Sequence, residues 1–278
     1  MSRNEDRLGA IDQTGAEAPP PTEKNSILDF VLPTEFVDLP TQGRFYPEEH
    51  PLHNQESVEI RYMTAKDTDI LTSKSLLKKG VALDRVLQNI LVDKDIKVDS
   101  LFMGDKNAIV VAARINGFGA EYITKISCAA CGAAGDATFD LNAIVGRPVE
   151  EDFEIGPEGT FEVILPKTGV VAKCRLLTSA DEQIMFKTSE KRKKRNLPEE
   201  TLTAQYKLFI VSLNGVTDRR LVEKFVDAMP ALDSSYLRKV YTRVVPNLEM
   251  KQDYVCSDCD AETIVDIPFS ANFFWPDR

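Results

Sequence analysis

Two short stretches decide how this chain folds: SCAACG at residues 127–132 and VCSDCD at residues 255–260. Each contains a C-x-x-C pair, which places two thiols on one tight turn. Four thiolates complete the tetrahedral coordination of zinc and leave no open position, so the pattern indicates a structural site rather than a catalytic one. We therefore predict one structural zinc ion per chain, held by Cys128, Cys131, Cys256 and Cys259.

The distance between the pairs leaves alternatives open, because 124 residues separate Cys131 from Cys256. Each pair could be a redox motif or a disulfide, but neither stands in the strand-then-helix context of a thioredoxin site. Two separate two-cysteine metal sites would each leave two coordination positions to water. The fifth cysteine, Cys174, stands between apolar residues in VVAKCRLL and is predicted to be a core residue.

The segments that precede the two pairs resemble each other in the same order, which indicates an internal repeat. Three pairs of matching segments, here called anchors, occur in the same order before the two cysteine pairs. The anchors are LPTQG (39–43) and LPKTG (165–169), RYMTAKDTDIL (61–71) and RLLTSADEQIM (175–185), and Asp105 and Asp233, each 23 residues before the first cysteine of its pair. A duplicated unit explains the long spacing, because each copy would contribute one cysteine knuckle to a shared ion.

Each copy has the same predicted plan. An extended segment leads to a helix whose N-cap is Thr64 or Thr178, with an aspartate (Asp67 or Asp181) at the third helical position, as in a capping box. Further amphipathic helices follow, and a hairpin carries the cysteine pair. We expect the first helix to take the same position relative to its own knuckle in both copies. The further helices are predicted at residues 83–92, 105–116, 202–213, 221–228 and 233–244.

These features predict an α+β fold with two pseudo-repeated, mainly helical halves, at residues 27–147 and 148–278. Each half ends in a β-hairpin zinc knuckle, and one shared four-cysteine zinc ribbon joins them. Residues 1–26 are polar and contain three consecutive prolines, so we expect a disordered tail there.

Composition excludes several functional classes. A net charge of −10 gives no general attraction to nucleic acid, and no apolar run reaches the roughly 18 residues of a membrane span. The N-terminal residues do not resemble a secretory signal, so we expect an intracellular protein. The chain has two histidines and lacks the common phosphate-binding and hydrolase motifs, and we interpret Asp67 and Asp69 as helix-start residues. We predict that the protein is not an enzyme.

The basic run KRKKR at residues 191–195 is the one cluster that suggests nucleic acid. The favoured interpretation is a solvated loop that ends a helix, where cations interact favourably with the helix dipole. Acidic residues surround the cysteine pairs, whereas a nucleic-acid-reading ribbon should be basic.

The C-terminal stretch FSANFFWPDR is rich in aromatic residues. Such a stretch either packs on its own domain or offers anchors to another protein chain. Under the second interpretation, the partner-binding residues are Phe269, Phe273, Phe274 and Trp275.

Several strings resemble the baseplate hub family of T-even-type contractile-tailed bacteriophages. They are LPTQGRFYPEEHPL, ESVEIRYMTAKDTDILTSKSLLKKGVALDRVLQNILVD, FMGDKNAIVVAARINGFGAEY and DRRLVEKFVDAMPALDSSYLRKVY, the last two with the knuckles that follow them. The resemblance runs from about residue 35 to the C-terminus and includes no catalytic signature.

The resemblance implies a viral late protein, either a structural subunit of the tail baseplate hub or a hub assembly factor. Its partners would be other hub proteins, and its location the virion tail baseplate or the host cytoplasm during tail assembly. The competing hypothesis from the residues is a zinc-ribbon regulator that binds nucleic acid or a polymerase through KRKKR.

Overall fold

The computed structural model describes residues 32–147, 149, 153–268 and 273–274. The fold is α+β, with helices packed against small antiparallel sheets, as predicted. The first half of the chain contains β1 (Thr34–Asp38), β2 (Ser57–Arg61), α1 (Ala65–Thr72), α2 (Lys74–Lys79), α3 (Ala82–Ile90), α4 (Met103–Phe118), β3 (Glu121–Ser127), β4 (Ala134–Asp140) and β5 (Val145–Arg147). The second half contains β6 (Thr160–Ile164), β7 (Val171–Arg175), α5 (Ser179–Lys194), α6 (Thr201–Phe209), β8 (Ile210–Leu213), α7 (Arg219–Ala228), α8 (Ala231–Val244), β9 (Asn247–Glu249), β10 (Lys251–Val255) and β11 (Glu262–Asp266).

An antiparallel strand pair opens each half and leads into a capped helix. β1 pairs with β2, and β6 pairs with β7, which also pairs with β8. At the start of α1, the Asp67 carboxylate accepts hydrogen bonds from the Thr64 N–H and hydroxyl, both at 2.8 Å. Asp181 does the same for Thr178 at the start of α5. Both predicted helix starts are therefore confirmed.

A matched ion pair fixes each of these helices to the strand before it. Arg61 at the end of β2 donates two hydrogen bonds to Asp67, at 2.7 and 3.1 Å. Arg175 at the end of β7 donates two to Asp181, both at 2.7 Å. The aspartates cap helices and pair with arginines, which accounts for them without any acid–base role.

The helix predicted at 202–213 is too long. α6 ends at Phe209, and Ile210–Leu213 form β8 on the edge of the sheet. An apolar segment of this length fits a buried helix turn or a short strand equally well, and pairing with β7 decides the outcome.

Buried side chains form two clusters. The first lies among β1–β4, α1, α3 and α4, and the second among β6–β8 and α6–α8. The first cluster also takes in residues from the second knuckle and beyond it: Tyr254, Cys256, Ile267, Phe273 and Phe274. Both knuckles therefore share the first core.

A buried cation lies where the halves meet. The Lys106 ammonium of α4 contacts Asp84 of α3 at 2.5 Å, and Ser179 and Glu182 of α5 at 2.9 and 2.6 Å. Burial alone would lower the pKa of Lys106, but the adjacent Glu182 and Asp84 carboxylates raise it. The halves also pair directly through β5 and β9.

No helix in the described part of the chain is both long enough and apolar enough to cross a membrane.

Candidate metal centre

Two similar hairpins position the four cysteines. β3 and β4 pair antiparallel up to Ser127 opposite Ala134, and β10 and β11 pair up to Val255 opposite Glu262. The next residue along the first strand of each hairpin is the first cysteine of a pair. The Cys128 N–H donates to the Ala133 carbonyl at 2.8 Å, and the Cys256 N–H donates to the Ala261 carbonyl at 3.1 Å. The two turns therefore close with the same hydrogen bond.

The tightness of each turn depends on one residue in the left-handed region. Gly132 has a φ of 76°, and Asp260, at the matching position of the second turn, has a φ of 54°. Their N–H groups donate to the Cys128 and Cys256 carbonyls, at 2.9 and 3.0 Å. Glycine adopts this conformation freely, and aspartate tolerates it better than most other residues.

The hairpin tips bring the two cysteine pairs together. The Sγ atoms of Cys128 and Cys259 lie 3.9 Å apart, and those of Cys131 and Cys256 lie 3.8 Å apart. All four sulfur atoms lie within 4.8 Å of one another. Four sulfurs placed about 2.3 Å from a central zinc ion would be about 3.8 Å apart. All five cysteines of the chain are free thiols, so no disulfide holds the tips together.

The thiols differ in exposure. Cys128 and Cys256 are buried, whereas Cys131 and Cys259 are exposed. Main-chain N–H groups of Cys131 and Ala130 lower the pKa of Cys128 to about 7. Main-chain N–H groups would also lower the pKa of Cys131 and Cys259, but burial and hydrogen bonds with the neighbouring thiols outweigh them, so the pKa of Cys131 is raised and that of Cys259 is raised to about 12. A bound cation would favour the thiolate form in all four. Within the described residues, this is the one cluster of potential metal ligands.

The surroundings of the site are acidic. Lys125 and Lys251 are the basic residues on the paired strands of the two hairpins. The acidic residues nearby are Asp136, Asp140, Asp253, Asp258, Asp260, Glu262 and Asp266. This charge does not suit the binding of a phosphate backbone.

A comparison with known protein families adds a match along most of the chain. The family described as T4 bacteriophage base plate protein matches residues 39–275. The chain belongs to this family. No curated protein and no solved structure matches this chain. As a base plate protein, it has partners within the phage baseplate, and its location is the virion tail.

The other residues singled out in the sequence of this base plate protein lie apart from the cysteine cluster. Cys174 is fully buried in the second core, and burial raises the pKa of its thiol to about 12. KRKKR is not a loop: Lys191–Lys194 form the last turn of α5 and Arg195 is its C-cap. The His50 ring stacks on Tyr46 and is hydrogen-bonded to the Ser100 hydroxyl. These contacts give His50 a structural role in packing.

The C-terminal aromatics require a correction. Phe273 and Phe274 are only 2% and 6% exposed and belong to the first core. Phe273 contacts the Tyr122 ring, and its carbonyl accepts a hydrogen bond from Arg114 at 2.6 Å. These two rings are therefore core residues and not exposed anchors. Phe269, Trp275 and the predicted tail at residues 1–26 lie outside the described residues.

The Lys106 cluster has no signature in the local sequence. Lys106 stands in GDKNAIVVAARI, where a lysine is normally solvated. Its partners Asp84 and Glu182 are distant in sequence, so no local pattern connects the three.

Proposed function

We propose that this base plate protein is a component of the tail baseplate hub, or an assembly factor for it, and that it acts through protein–protein contacts without catalysing a reaction. The observation that carries the proposal is the family match over residues 39–275. The resemblance of the chain to hub proteins supports the finer assignment. The protein would act in the virion tail, or in the host cytoplasm while tails assemble.

Residue roles support the absence of catalysis. Asp67 and Asp181 cap helices, and Asp233 holds a loop. Cys174 is inaccessible, and the other four thiols lie together in a geometry suited to a closed metal site.

We further propose that the four thiols bind one structural zinc ion and that the ion joins two duplicated halves. The sulfur separations support zinc, since they match tetrahedral coordination. The matched pairs Arg61–Asp67 and Arg175–Asp181 support a duplication. Zinc would stabilise the fold here rather than take part in a reaction, because four protein ligands leave it no open coordination position.

The competing regulator hypothesis is not favoured. The knuckles are acidic, and Arg192 of the basic run is engaged by Glu200 at 2.5 Å and by the Pro198 carbonyl at 2.9 Å. Salt-dependent DNA binding by the purified protein would support the regulator hypothesis instead.

The hub role is tested in infected cells. A phage that lacks this protein should fail to form complete tails, and a plasmid copy should restore them. Mass spectrometry of mature particles then separates a retained subunit, which is present, from an assembly factor, which is absent. Normal tails without the protein would overturn the proposal.

The metal is tested on the purified chain. Elemental analysis should give one zinc per chain, and Cys256→Ser should lose the ion and make both halves protease-sensitive. Cys174→Ala is the matched control, because it removes a buried thiol away from the cluster and should keep the zinc. Retention of a full equivalent of zinc by Cys256→Ser would contradict the shared site.

A further inference from the structure

A groove with a volume of about 640 Å³, lined mainly by apolar residue types, lies over helix α4. Ala108, Ala112 and Ile115 of α4 line it, together with residues 36–38 of β1 and residues 144–146 at β5. Side chains alternate between the two faces of a strand, so a groove lined by three consecutive strand residues is bordered by the main-chain edge of that strand. The edge of β1 therefore forms part of the groove.

Among the described residues, no strand pairs with the edge of β1 that borders the groove. The Leu39 N–H donates to the Glu56 carbonyl at 2.8 Å, and the Tyr62 N–H donates to the Pro33 carbonyl at 3.0 Å. Alternate residues of an antiparallel strand direct their main-chain groups to the same side. Residues 35 and 37 therefore bond β2, and residues 34, 36 and 38 direct their N–H and C=O groups away from it.

Nothing in the described part of the chain occupies this edge. β1 and β2 form a two-stranded sheet, and the far side of β2 is already occupied, because the Val92 N–H donates to the Glu59 carbonyl at 3.2 Å. A further strand can thus be added only beside β1.

Exposed apolar side chains accompany the open edge. Phe36 is 71% exposed, more than any other large apolar residue that the structure describes, and Val145 is 61% exposed. The small residues Ala108, Ala112 and Gly146 leave room for side chains from a partner. An open edge next to side-chain pockets is the arrangement used in β-strand addition, where main-chain bonds give affinity and alternate side chains give specificity.

The charge around the groove indicates the chemistry of the partner. Asp38 is its one charged lining residue. Two more carboxylates stand close by: Glu35, which accepts a hydrogen bond from Asn116 at 2.6 Å, and Glu249, opposite Val145. A second copy of this chain, with a net charge of −10, would bring like charges to this edge. A strand that carries lysine or arginine is complementary.

We propose that β1 accepts an extended, basic segment of another baseplate protein. The segment would add as a strand along residues 34–38, place alternate apolar side chains in the groove beside Phe36, and direct a lysine or arginine toward Asp38. This inference rests on the proposed function, since it names the surface through which the protein would contact its partner.

The test uses the full-length protein in infected cells. Phe36→Lys and Asp38→Pro should each reduce tail assembly by about tenfold or more, as expected for the loss of an interface anchor. Asp38→Pro removes the Asp38 carboxylate and an N–H that points to the open edge, while the bonds of residues 35 and 37 to β2 remain. Ile264→Lys is the matched control, because Ile264 is 69% exposed on β11 and should tolerate lysine. Unchanged melting temperatures should show that all three variants fold.

A photo-crosslinking residue at position 36 identifies the occupant of the groove. A cross-link to a lysine- or arginine-containing segment of another tail protein supports the proposal. A cross-link to a second copy, or to residues 1–31 of the same chain, overturns it. If loss of the protein blocks tail assembly while Phe36→Lys and Asp38→Pro assemble normally, the strand proposal fails and the hub function stands. Normal tails in the absence of the protein would instead contradict the proposed hub function.

Discussion

The carboxylate of Asp105 accepts hydrogen bonds from both the main-chain N–H and the hydroxyl of Thr41, at 3.0 and 2.6 Å. Asp233 accepts the same two bonds from Thr168, at 3.1 and 2.8 Å. Each aspartate lies in the first turn of the helix before its knuckle, and each threonine lies in an LPxxG turn. Two of the matching sequence segments are therefore in direct contact in each half of the chain.

Replacing Asp105 with alanine should destabilise the protein by about 3 kcal/mol, because the buried N–H and hydroxyl of Thr41 and the Tyr46 hydroxyl lose their acceptor. Asp233→Ala should cause a similar loss. Urea unfolding measures both. Asp69→Ala, on the exposed face of α1, is the control and should change little. A loss below about 1 kcal/mol for Asp105→Ala would show that these contacts do not hold the turn.

The Arg61–Asp67 pair should make stability depend on acid. Burial alone would raise the pKa of Asp67, but hydrogen bonds from Arg61 and Thr64 lower it to about 2. A depressed carboxyl pKa stabilises the fold fully above about pH 4, and the stabilisation of about 1–2 kcal/mol is lost as the pH falls toward 2. In Asp67→Asn, the free energy of unfolding should fall less over this range than in the wild type. Parallel pH profiles for the two proteins would argue against the assignment.

Replacing Lys106 with methionine should cost about 3–5 kcal/mol, because it leaves the buried Asp84 carboxylate without its cation. The double variant Lys106→Met/Asp84→Leu should recover much of that loss, since a buried ion pair can be replaced by apolar residues of similar size. Calorimetry of the two variants measures the difference. A double variant less stable than Lys106→Met would show that the junction needs the charges themselves.

Phe273→Ala should destabilise the first core by about 3–5 kcal/mol, as is usual for truncating a buried phenylalanine. Ile264→Ala, at an exposed strand position, should stay within about 0.5 kcal/mol of the wild type. Chemical denaturation distinguishes the two. A Phe273→Ala protein with near-native stability would mean that this ring contributes little to the core.

The sequence was informative wherever structure depends on neighbouring residues. Thr64 with Asp67 and Thr178 with Asp181 form caps three residues apart, and the cysteine turns are similarly local. Propensity and spacing are enough to predict such features. The clustering of the four sulfur atoms was also predicted, since the repeat inferred from the sequence offered a reason for two distant hairpins to meet.

The features that were predicted wrongly or not at all are those that tertiary contacts decide. Strand pairing with β7 shortens α6, and partners from two other helices bury Lys106. The local sequence around Phe273 fits an exposed anchor as well as a core ring, and only the pocket beside Tyr122 and Arg114 distinguishes the two. Likewise, the open edge of β1 cannot be recognised from the residues of β1 alone, because an edge is defined by the strand that is missing beside it.

The sharing of one core by both knuckles has a consequence for biosynthesis. The first cluster needs Tyr254, Cys256 and Phe273, so it cannot be completed until about the first 274 residues have left the ribosome. Domains commonly fold in order as they emerge, the N-terminal one first. Here the apolar surface of the first half stays exposed until the last part of the chain has been synthesised. Host chaperones would be expected to bind this surface and prevent aggregation during that interval.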